Sequence, residues 1–543
     1  MSWVWYVLLG TLGFLIGVVL GSDIDVVRSG KAFKRWLIMW ILYFLAVMAF
    51  SYFAMPVMNF WKLVVFNGVS VIIGYFAGTE NKYDWKVPDD VKKWRKTAVT
   101  IVVALVLVSF GGYAVAWLGS FDTKYSIANE VFSPVEQVNV SKYNGHVKIT
   151  IVPYQTAKRR MGVALSKYGT IYKLADADYQ IINGTIYWVG SVSFDGVLRQ
   201  WKHKDERIPI MAMMSAEENE NARLVKLKCP AKYVLGNYFG LNIERIIWEE
   251  YPNMKFTTPV LQLHDGKAYY ISMLMKYDGV AFVPKPWKLA VVDACTGDIQ
   301  TFDLDSIPDW ITFTHQEDEI EDFAYWWGVY KHGLINAYVG HRDVMYPTGN
   351  IKADLESKKV VMSGTDVWMV LIDGKPYWFT AYRPPGSDAS KNTMIGMALI
   401  DARIGKMVWV STPDYYNDYA IMENALQSPE ISKSASLKPA QPYPIFINGS
   451  MAWFMTVIGS NNELQFYAVG DAKTGQVFIG ETPEIAIAKW VKFATGKDVV
   501  DVIRPPTGNE TSVVMWIVID RGNGTTERIP VYAGDKIEIV QSP

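Results

Sequence analysis

Chemistry in this 543-residue chain could come from one run of carboxylates, Glu317, Asp318, Glu319, Glu321 and Asp322. Hard cations such as Ca²⁺ take several carboxylate oxygens, so the run could hold one. It lacks the Asp-x-Asp-x-Asp-Gly loop pattern, and the competing reading is a solvated helix face. His146, His203, His264, His315, His332 and His341 are scattered and form no HExxH or other close ligand set. His315 and Glu319 stand one helical turn apart, a commonplace pairing. No Gly-x-Ser-x-Gly elbow, Walker A loop or strand-following GxGxxG occurs. Asp293, Asp401 and Asp471 recur, but as turn formers. The repeated aromatics Tyr187, Trp188, Tyr269, Tyr270, Tyr377, Trp378 and Trp453 either pack neighbouring units together or, if exposed, bind sugars or a partner. The sequence therefore assigns no catalytic, metal or cofactor-binding residue, and no cofactor.

Asn139, Asn183, Asn448, Asn509 and Asn523 begin Asn-x-Ser/Thr sequons, open to glycosylation outside the cell. Asn183, Asn448 and Asn523 precede glycine and suit turn tips equally. Cys229 and Cys295 are either one disulfide or two buried thiols. Lys plus Arg (53) nearly balance Asp plus Glu (54), which gives no electrostatic case for nucleic acid.

These residues must be carried by something, and the first 120 residues supply an anchor. Trp3–Leu20, Trp36–Met55, Val57–Gly78 and Ala98–Leu118 are apolar runs, each near the ~20 residues that cross a bilayer as a helix. The first lacks the basic start and cleavage site of a signal peptide. Arg28, Lys31, Lys34 and Arg35 follow the first run; Lys82, Lys86, Lys92, Lys93, Arg95 and Lys96 follow the third. The positive-inside rule then predicts both loops in the cytoplasm, with the N-terminus and residues 120–543 outside. Lys62 lies close enough to an end to snorkel, and the absence of other intramembrane charge argues against transport. Gly13, Gly17 and Gly21 form a flat stripe, and Gly74 and Gly78 repeat the spacing. Such stripes let helices pack closely, either within the chain or between subunits.

The outer region repeats itself. "IINGTIYW" (181–188), "LHDGKAYY" (263–270), "LIDGKPYW" (371–378) and "FINGSMAW" (446–453) each place Asn-Gly or Asp-Gly between strands, the signal of a type I′ hairpin. "AVVDACTGDI" (290–299), "ALIDARIGKM" (398–407) and "AVGDAKTGQV" (468–477) follow as Asp-Ala-x-x-Gly turns, with "MMSAEENENA" (213–222) a degenerate first copy. Segments 307–313, 412–426 and 482–494 read as helix starts at Ser/Thr-Pro-Asp/Glu or its remnant. Segment 315–333 reads as a helical insertion, and 512–540 as a closing β stretch.

The "VDACTGDI" hairpin resembles the end of PepSY domains, which are small extracytoplasmic α+β modules. "ALIDARIGKMVW" (398–409) is similar to the strand pair of PQQ-like propellers. The resemblances imply PepSY-like α+β units with binding or regulatory roles, or alternatively a β-propeller ectodomain. The expected architecture is a four-helix transmembrane domain (1–119) followed by β-rich units at 120–230, 231–345 (with the insertion), 346–430 and 431–543. The expected role is a non-enzymatic scaffold, assembly or binding protein of the cell surface, contacting membrane lipid. It would self-associate through its helices and meet an extracellular protein or glycan. The alternatives are an extracytoplasmic enzyme, quinoprotein-like or carbohydrate-active, which requires a deep pocket with converging carboxylates, and a membrane sensor.

Overall fold

The uncharged N-terminal runs fold as helices, each closing its backbone hydrogen bonds within its own segment. They are α1 (Trp3–Gly21), α2 (Phe33–Ala54), α3 (Phe60–Thr79) and α4 (Asp89–Phe132). This is a computed structural model, and it describes residues 3–22, 33–58, 60–79, 89–143, 145, 147–148, 150–278, 283–386, 392–447, 449–496, 499–503, 513–520 and 526–532. Arg28, Lys31, Lys82 and Lys86, and Asn448, Asn509 and Asn523, lie outside the described residues.

α1, α2 and the apolar part of α4 are long and apolar enough to cross a membrane; the apolar stretch of α3, Lys62–Ala77, is shorter. The whole of α3 has 20 residues, about 30 Å of helix. α4 runs well beyond the expected Ala98–Leu118: lysines and an arginine, good helix formers, extend it on the N-terminal side, and burial of Phe121, Ile127, Ala128 and Phe132 holds the C-terminal extension against weaker propensity.

The glycine stripe is used inside the chain. A Cβ on Gly13 would stand 2.4 Å from the Asn67 carbonyl oxygen, one on Gly17 2.0 Å from that of Val71, and one on Gly74 2.1 Å from that of Phe14. α1 and α3 thus cross with their backbones in contact, and Gly13, Gly17 and Gly74 are not left for a second subunit. The surroundings of Gly21 and Gly78 lie outside the described side chains. Polar bridges reinforce the crossing. Ser70 Oγ donates to the Gly10 carbonyl at 2.9 Å, Tyr43 Oη lies 2.9 Å from Ser70 Oγ, and Trp40 Nε1 donates to the Thr11 carbonyl at 3.2 Å.

The chain forms two compact units. The first is Met1–Ser120 with Glu244–Phe256 and Leu274–Pro286; the second is Phe121–Ile243, Thr257–Met273 and Trp287–Pro543. Within the first, Trp248 Nε1 donates to the Pro56 carbonyl at 3.0 Å, its ring lies 5.1 Å from that of Trp3, and the Arg245 guanidinium stacks 3.6 Å over Tyr52.

The β-rich remainder is a series of antiparallel meanders in chain order. The first is Tyr172–Ile182, Thr185–Phe194, Ile208–Ser215 and Arg223–Ala231. The fourth is Lys438–Ile447, Ser450–Ile458, Leu464–Asp471 and Val477–Gly480. The third is built on Trp368–Ile372, Lys375–Arg383, Thr393–Asp401 and Met407–Tyr416, with Glu136–Asn139 added parallel at its edge. That strand lies far earlier in sequence than the unit 346–430 it joins.

The hairpin tips are type I′. Asn183 and Gly184, Asp265 and Gly266, and Asp373 and Gly374 all have positive φ, as that turn demands. In the Asp-Ala turns the Asp carboxylate accepts local backbone N–H groups. Asp401 Oδ1 takes Arg403 N at 2.8 Å, and Asp471 Oδ1 takes Thr474 N at 2.8 Å. The alanine has a further role. Ala294 O accepts from Lys232 and Tyr233, Ala402 O from Thr314 and His315, and Ala472 O from Tyr416. In each case the segment entering a repeat is bonded to that repeat's own turn. Ala216 O does the same for Ile151 and Val152, so Ser215-Ala216 is the first copy's Asp-Ala.

The recurring tryptophans lock the same seam. Trp188, Trp378 and Trp453 are fully buried, and their indoles donate to the carbonyls of Val152, His315 and Tyr416. These rings pack the repeats and offer no exposed sugar-binding row. Segment 482–494 is helical as expected, with Thr482 capping Pro483–Thr495. Segment 307–313 is not helical. In 412–426 the Thr-Pro-Asp continues the strand, and Asn417 instead caps Asp418–Gln427 by accepting from Ala420 N.

Candidate functional site

A cavity of about 660 Å³ opens within the second unit. Asp176, Asp178, Glu317, Asp318 and Asp366 line it, against two lysines, Lys352 and Lys438.

Each group has a local reason for its place. Asp176 and Asp178 alternate on the strand Tyr172–Ile182, beside a bulge between Leu174 and Asp176; bulges re-aim side chains. Asp178 Oδ2 accepts from Leu261 N at 3.0 Å, and Tyr154 Oη donates to Asp176 Oδ1 at 2.7 Å. Glu317 and Asp318 open the helix Glu317–Val329, where carboxylates favour the positive end of the dipole. Asp318 Oδ2 accepts from Thr258 N at 2.8 Å. Glu321 follows one turn after Glu317 on the same helix face, and Asp366 comes from the segment just before the strand Trp368–Ile372.

The expected acidic run is therefore split. Glu319 turns away and meets His315 Nδ1 in a buried pair. Asp318 caps a neighbouring backbone. Glu317 and Glu321 converge with Asp366, their nearest carboxylate oxygens all within 4.8 Å of one another. These three residues could hold a metal ion, since a hard cation binds oxygens at about 2.3–2.6 Å. Among the described residues, no histidine joins this set.

Two polar groups on the cavity wall are unspent. Asp366 is 4 % exposed and its Oδ2 has no hydrogen-bond donor; Gln441 is 3 % exposed and its Nε2 has no acceptor. Gln441 sits at φ 40° in a bulge of the strand Lys438–Ile447. Its Oε1 accepts from Tyr154 N at 2.7 Å, which satisfies one of the free N–H groups at the start of the helix Tyr154–Leu165. Amide orientation is assigned from such networks, and here the oxygen is fixed by that bond.

Crowding of carboxyls in a poorly solvated place raises their pKa values. Burial, then the charge of Asp366, pushes Glu321 up to about 8. Burial pushes Asp366 up to about 6, opposed by a hydrogen bond from Glu321. Asp178 is pushed well up by burial and then by Asp176; Glu317 is pushed up by desolvation of its carboxyl and then by Asp366 and Glu321, although the residue itself is exposed at the start of its helix. Both carboxyls of the Glu321–Asp366 pair therefore hold a proton more tightly than isolated ones would. Half-buried Tyr154 and Trp368 supply aromatic wall.

Other expected features fall away from the cavity. Cys229 and Cys295 form a disulfide, their Cα atoms 5.9 Å apart. Asn139 is exposed and accepts from Ser141 N at 3.0 Å, and Asn183 is exposed at a hairpin tip. Sequence reasoning found Glu317, Asp318 and Glu321 but missed Asp176, Asp178, Asp366 and Gln441. The alternation of Asp176 and Asp178 inside a strand was the one available signal.

No family model matches the chain, and no curated protein matches it. The crystal structure of polysaccharide lyase Uly1 is similar over 74 % of this chain and 91 % of that one, at 10 % identity and a TM-score of 0.20. At that score the likeness carries no argument about fold or activity.

Proposed function

We propose that the protein is a membrane-anchored extracytoplasmic binding protein whose outer unit takes a positively charged ligand in the carboxylate-lined cavity. The observation that carries this reading is the convergence of Glu317, Glu321 and Asp366, with Asp366 Oδ2 buried and unspent. Negative charge in a confined, poorly solvated space is stabilised by a proton or by a cation. The ligand is a hard divalent ion or an organic ammonium, which the aromatic wall suits through cation–π attraction.

The anchor reading is supported by Trp3, Pro56 and Trp248 meeting one another. The N-terminus, the α2–α3 turn and the chain beyond α4 then belong on one side of the bilayer, which requires four crossings. PepSY-like extracytoplasmic modules remain the proposed relatives of the repeats. Self-association, if present, uses a face other than Gly13, Gly17 and Gly74.

Calorimetric titration of full-length protein in detergent at pH 8, with Ca²⁺ in one arm and spermidine in another, tests the proposal. Saturable binding in either arm, weakened at least about tenfold (roughly 1.4 kcal/mol) by Asp366→Asn, is the expected result. Heat of dilution alone in both arms overturns it. A second reading, acid–base cleavage of a glycan, is favoured by the adjacent carboxyls of Glu321 and Asp366, both with raised proton affinity, which is the equipment of general acid–base chemistry. Release of reducing ends from surface polysaccharide, abolished by Glu321→Gln, would favour it over simple binding.

A further inference from the structure

We infer that the Cys229–Cys295 disulfide locks the closure between the first and second repeats, where the other repeats use a buried indole. A dithiol reductant then opens that closure alone. All four repeats close in the same way. The second residue of the entry segment donates its N–H to the turn alanine: Val152 to Ala216, Tyr233 to Ala294, His315 to Ala402 and Tyr416 to Ala472. In three repeats the carbonyl of that same residue also takes an indole N–H, from Trp188, Trp378 and Trp453; a buried indole finds such a partner.

The second repeat keeps the closure and lacks the indole. Its entry and turn are placed as in the later copies. The rings of Tyr233, His315 and Tyr416 cover Gly297, Gly405 and Gly475, at 2.8, 3.0 and 3.2 Å from where a Cβ would stand. But "LHDGKAYY" ends in Tyr270, where its counterparts end in tryptophan. Tyr270 is fully buried, and its hydroxyl meets Ser191 Oγ of the first repeat and the Leu235 backbone N–H, two residues past Tyr233. The Tyr233 carbonyl therefore takes no indole. On the neighbouring strands Gln180 Nε2 donates to the Leu263 carbonyl at 2.7 Å and its Oε1 accepts from Leu263 N at 2.9 Å. The two repeats thus stay joined when the closure opens.

The disulfide lies on this closure. Cys295 directly follows Ala294 in the turn, and Cys229 is on Arg223–Ala231, the strand that leads into Lys232 and Tyr233. A cross-link there holds entry segment and turn together without an indole. Its two sulfurs are unequal. Cys229 is half-buried, whereas Cys295 is buried and its Sγ accepts from Arg207 Nη1 at 3.3 Å. A neighbouring guanidinium favours a thiolate, and the more acidic thiol leaves faster. A thiolate of the reductant therefore bonds to the Cys229 sulfur, the S–S bond breaks, and Cys295 leaves as a thiolate that takes up a proton. The second thiol of the reductant then displaces Cys229 as a thiol. The dithiol ends as a cyclic disulfide, having passed two electrons and two protons to the protein.

Amide hydrogen exchange of full-length protein in detergent, with and without dithiothreitol, tests the inference, and alkylation counts the thiols released. Reduction should speed exchange at Lys232 and Tyr233 at least about tenfold and leave Thr314, His315 and Tyr416 unchanged. Cys229→Ser combined with Cys295→Ser should do the same without reductant. Trp378→Phe, with the disulfide intact, should instead speed Thr314 and His315 and leave Lys232 and Tyr233 protected. Unchanged protection of Lys232 and Tyr233 in the reduced protein overturns the inference, as does a disulfide that stays closed in dithiothreitol. Equal acceleration at all three closures also overturns it, since the disulfide would then be a general staple. Full protection of Thr314 and His315 in Trp378→Phe denies the indole its locking role and overturns the equivalence.

Discussion

Crowding and burial raise the proton affinity of both Glu321 and Asp366, and that has a consequence for stability. Both carboxyls bind protons more tightly in the folded protein than in the unfolded chain, where carboxyls titrate near 4. The stability they lend is whole below about pH 4 and is lost as pH rises through about 6 for Asp366 and about 8 for Glu321. The melting temperature of the outer unit should therefore fall across pH 5 to 9 in the absence of divalent ions. Glu321→Gln should flatten that fall. A pH-independent melting temperature in the native sequence would show that the carboxyls are not crowded in solution. Gln441 acts differently: its oxygen is engaged by Tyr154 N, so Gln441→Leu removes a helix-start acceptor from a buried place. A loss of about 1–2 kcal/mol in denaturant unfolding is expected, and no loss would mean the helix start is met by water.

At the scale of elements, glycine positions divide into two kinds with separable costs. Gly374 has φ 77° with open space around its missing Cβ. Gly374→Ala should cost only the left-handed backbone term, about 1–2 kcal/mol, read as a shift of the urea midpoint at constant slope. Gly17 is limited by space, since its Cβ would stand 2.0 Å from the Val71 carbonyl oxygen. Gly17→Leu should separate α1 from α3 and cost at least about 1–3 kcal/mol by overpacking, seen as faster proteolysis in mild detergent. Unchanged resistance would mean the crossing is looser than the structure shows. The same elements show what a sequence can reveal. Hairpin tips and Asp-Ala turns were legible because a two-residue turn needs particular residues at fixed places. The helix at Pro483 was legible from its Thr-Pro-Glu start. The same signal failed at Thr412-Pro413-Asp414, which falls in a bulge between Ser411, paired with Gly396, and Tyr415, paired with Met394; the flanking ladder overrides a local start and the cap moves to Asn417. Asp366 had no periodicity and no motif around it; only the fold brings it to Glu317 and Glu321.

At the scale of the whole molecule, the cavity draws its groups from the first repeat (Asp176, Asp178), the helical insertion of the second (Glu317), the third (Asp366) and the fourth (Gln441). Within the outer unit, no single repeat carries the site, and the closing bonds between entry segments and Ala216, Ala402 and Ala472 hold its walls. Everything proposed for that site presumes that it faces the exterior. The most direct measurement labels single cysteines in intact cells with a membrane-impermeant maleimide. Val361→Cys, on the outer unit, should label at once, while Lys93→Cys, in the charged start of α4, should label only after the membrane is permeabilised. Prompt labelling at Lys93→Cys with protection at Val361→Cys would contradict the account.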